Sequence, residues 1–284
     1  MPGMKRRLDF ADHRRDLGDN RYIYAVVSRR ARGLSIGINL NPDKVCNFDC
    51  PYCQVDRRVP GGPADIDLDL LEQELDHLLA LTHGSLWAIA PFDTVDPALR
   101  RVADIAFAGD GEPTSPPEFA EAARRVQQLR DQHGLSVPIR LLTNATLLHR
   151  ERVQAGLAYI DEPWCKLDAG TEAYFQLVDG TRFPFNRVLQ NLRALSKQRP
   201  IVLQSMFLKW EGQPASPAEQ EAWLRRLTEI LEDGGQIQEV QAYTVARRPA
   251  DDRVQPVERA WLESLADRAR GLGLKVEVYA PAAG

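Results

Sequence analysis

The sequence predicts an α/β fold with a parallel sheet and outer helices, wound as a full or partial barrel. Short apolar runs alternate with amphipathic helical stretches along most of the chain, which is the pattern of repeated β-α units. No internal repeat, low-complexity tract or Ser/Gly-rich linker interrupts that alternation. The 284 residues, 44% hydrophobic and 27% charged, suit a globular chain with one substantial core.

The elements follow in order. A basic N-terminal segment leads to a predicted strand over 22–27, and Leu34-Ser-Ile-Gly-Ile-Asn-Leu40 alternates as a second strand. Leu68, Leu71, Leu75, Leu78 and Leu79 share one helix face at three- and four-residue spacing. A strand over 105–108 precedes a helix with Phe119, Ala122, Val126 and Leu129 on its inner face. A strand over 139–142 and a helix near Glu151 come next. Residues 164–167 read as a strand, and Val188, Leu192 and Leu195 face inward from the following helix. A strand over 201–208 precedes a helix over 217–231, a strand over 240–245 precedes a helix over 257–272, and 274–279 forms a closing strand. In barrels and doubly wound sheets alike, ligands bind at the C-terminal ends of the strands. The chain divides into a basic N-terminal extension, 1–33, packed on a single core domain, 34–284.

No stretch approaches the run of about twenty apolar residues that spans a bilayer, and Asp9, Asp12 and His13 stand where a secretion signal would be apolar. The expected location is therefore the cytoplasm, with no membrane partner. Four cysteines are too few for a disulfide scaffold in a chain of this length, and three fall within eight residues, as in a ligand cluster. Residues 1–60 carry 12 Lys and Arg against 7 Asp and Glu, a balance of +5. The remainder carries 24 against 33, or −9, which completes the net −4. Such asymmetry is compatible with a phosphate-bearing partner near the N-terminal third, and equally with solvated surface.

Cys46-Asn-Phe-Asp-Cys50-Pro-Tyr-Cys53 occupies the loop after the second predicted strand. Thiolates are good ligands for iron, and close spacing in a loop lets several sulfurs face one point. Three protein ligands on a four-iron cluster leave one iron open to another molecule. A zinc site of three cysteines and one histidine is the alternative by ligand type. His13, His77, His83, His133 and His149 give no short Cys/His spacing for it.

The triplet, with an aromatic residue just before its third cysteine, resembles the signature of the radical S-adenosylmethionine superfamily. The resemblance implies a partial (β/α)6 barrel with N-terminal and C-terminal extensions and one [4Fe-4S] cluster on Cys46, Cys50 and Cys53. It also implies S-adenosyl-L-methionine on the open iron, Tyr52 near the adenine, and an external electron donor such as flavodoxin or ferredoxin. The expected chemistry is reductive cleavage of S-adenosylmethionine to a 5'-deoxyadenosyl radical that abstracts hydrogen from a substrate.

Gly109-Asp-Gly-Glu-Pro-Thr114 follows the next predicted strand, where glycines let the backbone approach a ligand and a carboxylate accepts from an ammonium group. It is similar to the family's glycine-glutamate-proline motif, and Gly111, Glu112 and Pro113 are the matching positions. Thr143 and Asn144 put polar side chains at a later strand end. So do Lys166, suited to a carboxylate, and Asp168, suited to ribose hydroxyls. Gln204 and Ser205, and then Gln241, Tyr243 and Thr244, are polar residues in apolar runs, where burial is costly unless they are paired. They are candidates for cofactor or substrate contact and equally for structural hydrogen bonds. Arg247 and Arg248 would suit an acidic group or the surface. Cys165 and Tyr243 are candidate hydrogen donors to a product radical, buried packing being the other reading of a lone cysteine in a strand.

Taken together, these segments look most like a bacterial group related to the wyosine-base tRNA-modifying enzymes. That enzyme carries a second three-cysteine cluster, whereas only Cys165 remains here, so one cluster is expected. Three functions follow. They are a radical enzyme acting on RNA, whose binding would weaken with salt; a radical enzyme acting on a small metabolite; and a non-catalytic iron-sulfur carrier or metal-binding regulator.

Overall fold

A computed structural model describes residues 7–10, 17–28, 30–247, 249 and 251–280. Arg248 and much of the basic segment before residue 17 lie outside the described residues. The chain forms two compact units, one from Met1–Val45, Pro60–Leu141 and Glu151–Asp161, the other from Cys46–Val59, Leu142–Arg150 and Glu162–Gly284. No described helix is long and apolar enough to cross a membrane.

In the first unit, β1 (Ile23–Ser28) pairs antiparallel with β2 (Gly33–Ile38), from Ile23 opposite Ile38 to Ser28 opposite Gly33. After α1 (Leu68–Thr82), the chain enters β3 (Val102–Phe107), parallel to β2; after α2 (Phe119–Gln132) it enters β4 (Ile139–Thr143), parallel to β3. α3 (Glu151–Leu157) follows. The leucine stripe of α1 is buried as its spacing predicts, through Leu71, Leu75, Leu78 and Leu79. Glu74 is also buried, and the backbone N–H groups of Arg21, Tyr22 and Ile23 donate to its carboxylate at 2.7, 2.9 and 3.1 Å. A charged side chain tolerates burial there because it satisfies the strand entrance. Gly37 faces the Tyr24 ring so closely that a Cβ would stand 2.1 Å from it, which explains the glycine in a strand.

The second unit holds β5 (Glu162–Lys166), α4 (Glu172–Val178), α5 (Phe185–Gln198) and β6 (Ile201–Met206), then the short β7 (Leu208–Trp210) and β8 (Gln213–Pro214). α6 (Pro217–Glu232), β9 (Ile237–Tyr243), β10 (Val254–Pro256), α7 (Arg259–Arg270) and β11 (Val276–Tyr279) complete it. β5, β6, β9 and β11 pair in that order, all parallel. β7 lies between β8 and β10 in a separate antiparallel sheet. The stretch read as one strand over 201–208 therefore breaks at Phe207, and Glu211 and Gly212, both at positive φ, turn β7 back onto β8. α6 starts at Pro217 as the sequence predicts, and Ser216 caps it by accepting from the Glu219 N–H.

Candidate functional site

The cysteine loop belongs to the second unit, with Cys46, Cys50 and Cys53 each partly exposed. A turn closes it, the Cys53 N–H donating to the Cys50 carbonyl at 2.9 Å. Asn47 fastens it from within. Its amide donates to Thr146 Oγ1 at 2.8 Å, Asn144 Nδ2 donates to Asn47 Oδ1 at 2.7 Å, and Thr146 Oγ1 donates to Asn144 Oδ1 at 2.7 Å. The Thr143 hydroxyl accepts from the Ala145 N–H at 3.0 Å in the same turn, where Ala145 has a φ of 63°. Thr143 and Asn144 thus shape and brace the loop that presents the cysteines. Behind the loop, Asp179 ends α4 and Gly180, at φ 57°, turns so tightly under it that a Cβ would stand 2.0 Å from the Asp49 carbonyl oxygen.

Around Cys50 the sequence-predicted residues converge. The Tyr52 hydroxyl is hydrogen-bonded to Asp168 and to Lys166, and Lys166 Nζ lies 4.7 Å from the centre of the Tyr52 ring. Lys166 Nζ is 3.2 Å from Asp168, 3.6 Å from Asp179 and 3.9 Å from Cys50 Sγ. The second Asp168 oxygen accepts from the Met206 N–H at 2.8 Å. Asp179 Oδ1 lies 3.6 Å from Cys50 Sγ, while Asp179 Oδ2 is buried without a hydrogen-bond partner. Burial pushes the Asp179 carboxyl up to about 8, Asp168 adding to the shift and Lys166 opposing it. Burial likewise raises the Tyr52 hydroxyl and the Cys50 thiol. At Lys166 burial works against the ammonium, but Asp168, Cys50 and Asp179 outweigh it and hold the charge.

Strand register extends this polar face. Lys166 stands opposite Gln204, and Gln204 opposite Gln241, so the three share one side of β5, β6 and β9. Gln204 Nε2 donates to Gln241 Oε1 at 2.9 Å, and Gln241 Nε2 donates to Glu239 at 3.0 Å. Tyr243, two residues beyond Gln241, acts electrostatically on both Tyr52 and Lys166. Ser205 lies in the alternate register, its hydroxyl donating to the Leu167 carbonyl at 2.6 Å and accepting from Trp223 Nε1 at 3.1 Å. Cys165, fully buried, also alternates with Lys166 and so projects to the opposite face of β5.

Gly111, Glu112 and Pro113 lie in the first unit, in the loop after β3. A Cβ on Gly111 would stand 2.1 Å from the Val45 carbonyl oxygen. Glu112 is buried, its carboxylate accepting from Thr114 Oγ1 at 2.6 Å and its carbonyl from Ser115 Oγ at 2.7 Å. Arg152 donates to the carbonyls of Thr114, Ser115 and Pro116 at 3.0, 3.0 and 2.8 Å, fixing the chain beyond it. Asn41 Oδ1, buried nearby in the same unit, has no hydrogen-bond partner. These contacts hold the Glu112 carboxylate in one place.

Three residues not singled out in the sequence stand in this site: Asn47, Arg57 and Asp179. Arg57 Nη1 donates to Cys53 Sγ at 3.1 Å. The Asp179-Gly180 pair was the available signal for the tight turn; the contacts of Asn47 and Arg57 have no local signature.

Among the described residues no three His, Cys, Asp or Glu side chains converge as a ready single-metal site. The fit of an iron-sulfur cluster is one of donor chemistry. One loop offers three thiols, and cationic side chains stand at two of them, where they offset thiolate charge.

The family model of the radical SAM superfamily matches residues 40–211. A GTPase Obg of Brachyspira hyodysenteriae is 28% identical over 155 residues, 54% of this chain and 20% of that protein. The UPF0026 protein MJ1312 of Methanocaldococcus jannaschii is 27% identical over 164 residues, 55% of this chain and 43% of that protein. The chain thus spans less than half the length of either relative. Among solved structures, Streptococcus suis SuiB bound to S-adenosylmethionine matches with a TM-score of 0.60 at 14% identity, over 88% of this chain and 52% of that one. A radical SAM methyltransferase from Sphaerobacter thermophilus gives 0.60 at 16%, over 90% and 68%. TYW1 with a lysine-pyruvate adduct gives 0.55 at 14%, over 84% and 73%. At these identities the likeness is one of fold, the partial α/β barrel that the alternating pattern predicts. With 172 of 284 residues inside the family model, the chain belongs to the radical SAM superfamily.

Proposed function

We propose that this chain is an enzyme that binds one [4Fe-4S] cluster through Cys46, Cys50 and Cys53 and cleaves S-adenosyl-L-methionine to start hydrogen abstraction from a substrate. The observation that carries this reading is the loop of three thiols with Lys166 and Arg57 at two of its sulfurs. When bound, the cluster and S-adenosylmethionine supply one-electron cleavage of a carbon-sulfur bond and a radical able to remove hydrogen. The chain's own residues hold and orient. Glu112, kept still by Thr114, accepts from the cofactor's amino group. Lys166 offers its charge to a carboxylate, and Tyr52 and Asp168, tied to one another, meet the adenosyl portion. Gln204 belongs to the polar row that faces the bound molecules. Ser205 serves that row from behind, holding Leu167 and Trp223. Tyr243, on the side of Lys166, is the better candidate hydrogen donor; Cys165 lies on the other face of its strand.

A small-molecule substrate is the favoured class. Beside Cys50 and Cys53 the second unit opens a groove of about 1040 Å³. Among the described residues, its three arginines, Arg57, Arg58 and Arg253, stand among four aspartates, Asp49, Asp56, Asp251 and Asp252, so the groove offers no net positive charge to a phosphate backbone.

Anaerobic reconstitution tests the reading. Wild-type protein should take up about four irons per chain, whereas Ala at any one of Cys46, Cys50 and Cys53 should abolish cleavage of S-adenosylmethionine. Stoichiometric zinc with no iron uptake would overturn it. If RNA is the substrate instead, binding to an RNA transcript should fall steeply between low and high salt.

A further inference from the structure

Among the described residues, Lys166 and Arg57 stand at the cysteine loop. Lys166 Nζ lies 3.9 Å from Cys50 Sγ but is shared with Asp168 at 3.2 Å and Asp179 at 3.6 Å, so much of its charge is balanced locally. Arg57, four residues beyond Cys53 in the same loop, donates from Nη1 to Cys53 Sγ at 3.1 Å, a close contact for nitrogen and sulfur. Its charge also interacts with Cys46 and with Asp49. The side chain is half-buried at the wall of the groove that Cys50, Cys53 and Trp210 line. A protein adjusts an iron-sulfur potential through hydrogen bonds to the ligand sulfurs, nearby charge and exposure to water. Reduction adds one negative charge to the cluster, so a permanent cation on a ligand sulfur favours the reduced state over the oxidised one. Guanidinium suits this task because it stays protonated at any pH the protein meets.

Building on the cluster reading above, we propose that Arg57 sets the reduction potential of the cluster held by Cys46, Cys50 and Cys53, through its hydrogen bond to Cys53 Sγ. It acts through Cys53 and is therefore a positioning residue. No substrate or cofactor contact is needed for the effect.

The experiment is a redox titration of anaerobically reconstituted full-length protein, followed by electron paramagnetic resonance of the reduced cluster. Wild type is compared with Arg57→Gln, Arg57→Lys and Arg58→Gln, the last changing a groove arginine whose guanidinium is held by Asp56. The expected result is full iron content in all four, a midpoint shifted to lower potential in Arg57→Gln, a smaller shift in Arg57→Lys, and none in Arg58→Gln. A wild-type midpoint in Arg57→Gln overturns the proposal, as does equal loss of iron in both Arg57 variants, which would make the residue a fastener of the loop. Failure of wild type to take up iron overturns the cluster reading instead.

Discussion

Each predicted ligand has a neighbour that explains its placement. Glu112 is buried with Thr114 on its carboxylate and Arg152 gripping the carbonyls of Thr114, Ser115 and Pro116, so the loop arrives preformed. Removing that carboxylate should cost a charge-assisted hydrogen bond to the cofactor, about 1.5–3 kcal/mol, or roughly 10- to 150-fold in affinity. Equilibrium binding of S-adenosylmethionine to iron-loaded Glu112→Ala measures it, and unchanged affinity at full iron content would remove Glu112 from the site. Cys165→Ala should keep wild-type iron content, since its side chain projects from β5 opposite to Lys166; the expected cost is about 1 kcal/mol or somewhat more of folding stability from the small cavity. Loss of iron in that variant would show the ligand set to be wrong. The triplet and the Gly-Glu-Pro loop were legible because each is a short local pattern. Asp179 was not: it meets Cys50 across 129 residues of sequence, and such a pairing exists only once α4 ends beneath the loop.

Among the elements, the long periodic ones were readable, as were the shorter α3, β5 and β11, whereas the strands of two or three residues and α4 were not. The leucine stripe of α1 and the start of α6 at Pro217 follow the sequence closely. β7, β8 and β10, of two or three residues each, carry too little alternation to announce a sheet, and α4 spans only seven residues. The antiparallel pairing of β1 with β2 also escaped the reading, since the pattern of a strand does not record its direction. The anchor of β1 is tertiary. Glu74→Ala removes the acceptor for three backbone donors of the strand entrance and should destabilise the protein by roughly 1–3 kcal/mol, with partial rescue in Glu74→Gln. Chemical denaturation gives the value, and a loss below about 0.5 kcal/mol would show that water replaces the carboxylate at little cost.

For the molecule as a whole, each unit builds its polar residues at strand ends and in the loops beyond them: the Glu112 loop after β3, and Lys166 and Asp168 at the end of β5. Barrel enzymes gather their chemistry at that end of the sheet. The +5 balance of residues 1–60 is compatible with a phosphate-bearing partner or with solvated surface, and the proposed small-molecule substrate rests on the aspartates that stand among the groove's arginines. The central claim is that the three-cysteine loop supports cleavage of S-adenosylmethionine. Anaerobically reconstituted protein, given dithionite and S-adenosylmethionine, should release methionine or 5'-deoxyadenosine, and Cys50→Ala should release neither. Iron-loaded wild-type protein that leaves S-adenosylmethionine intact would contradict the account.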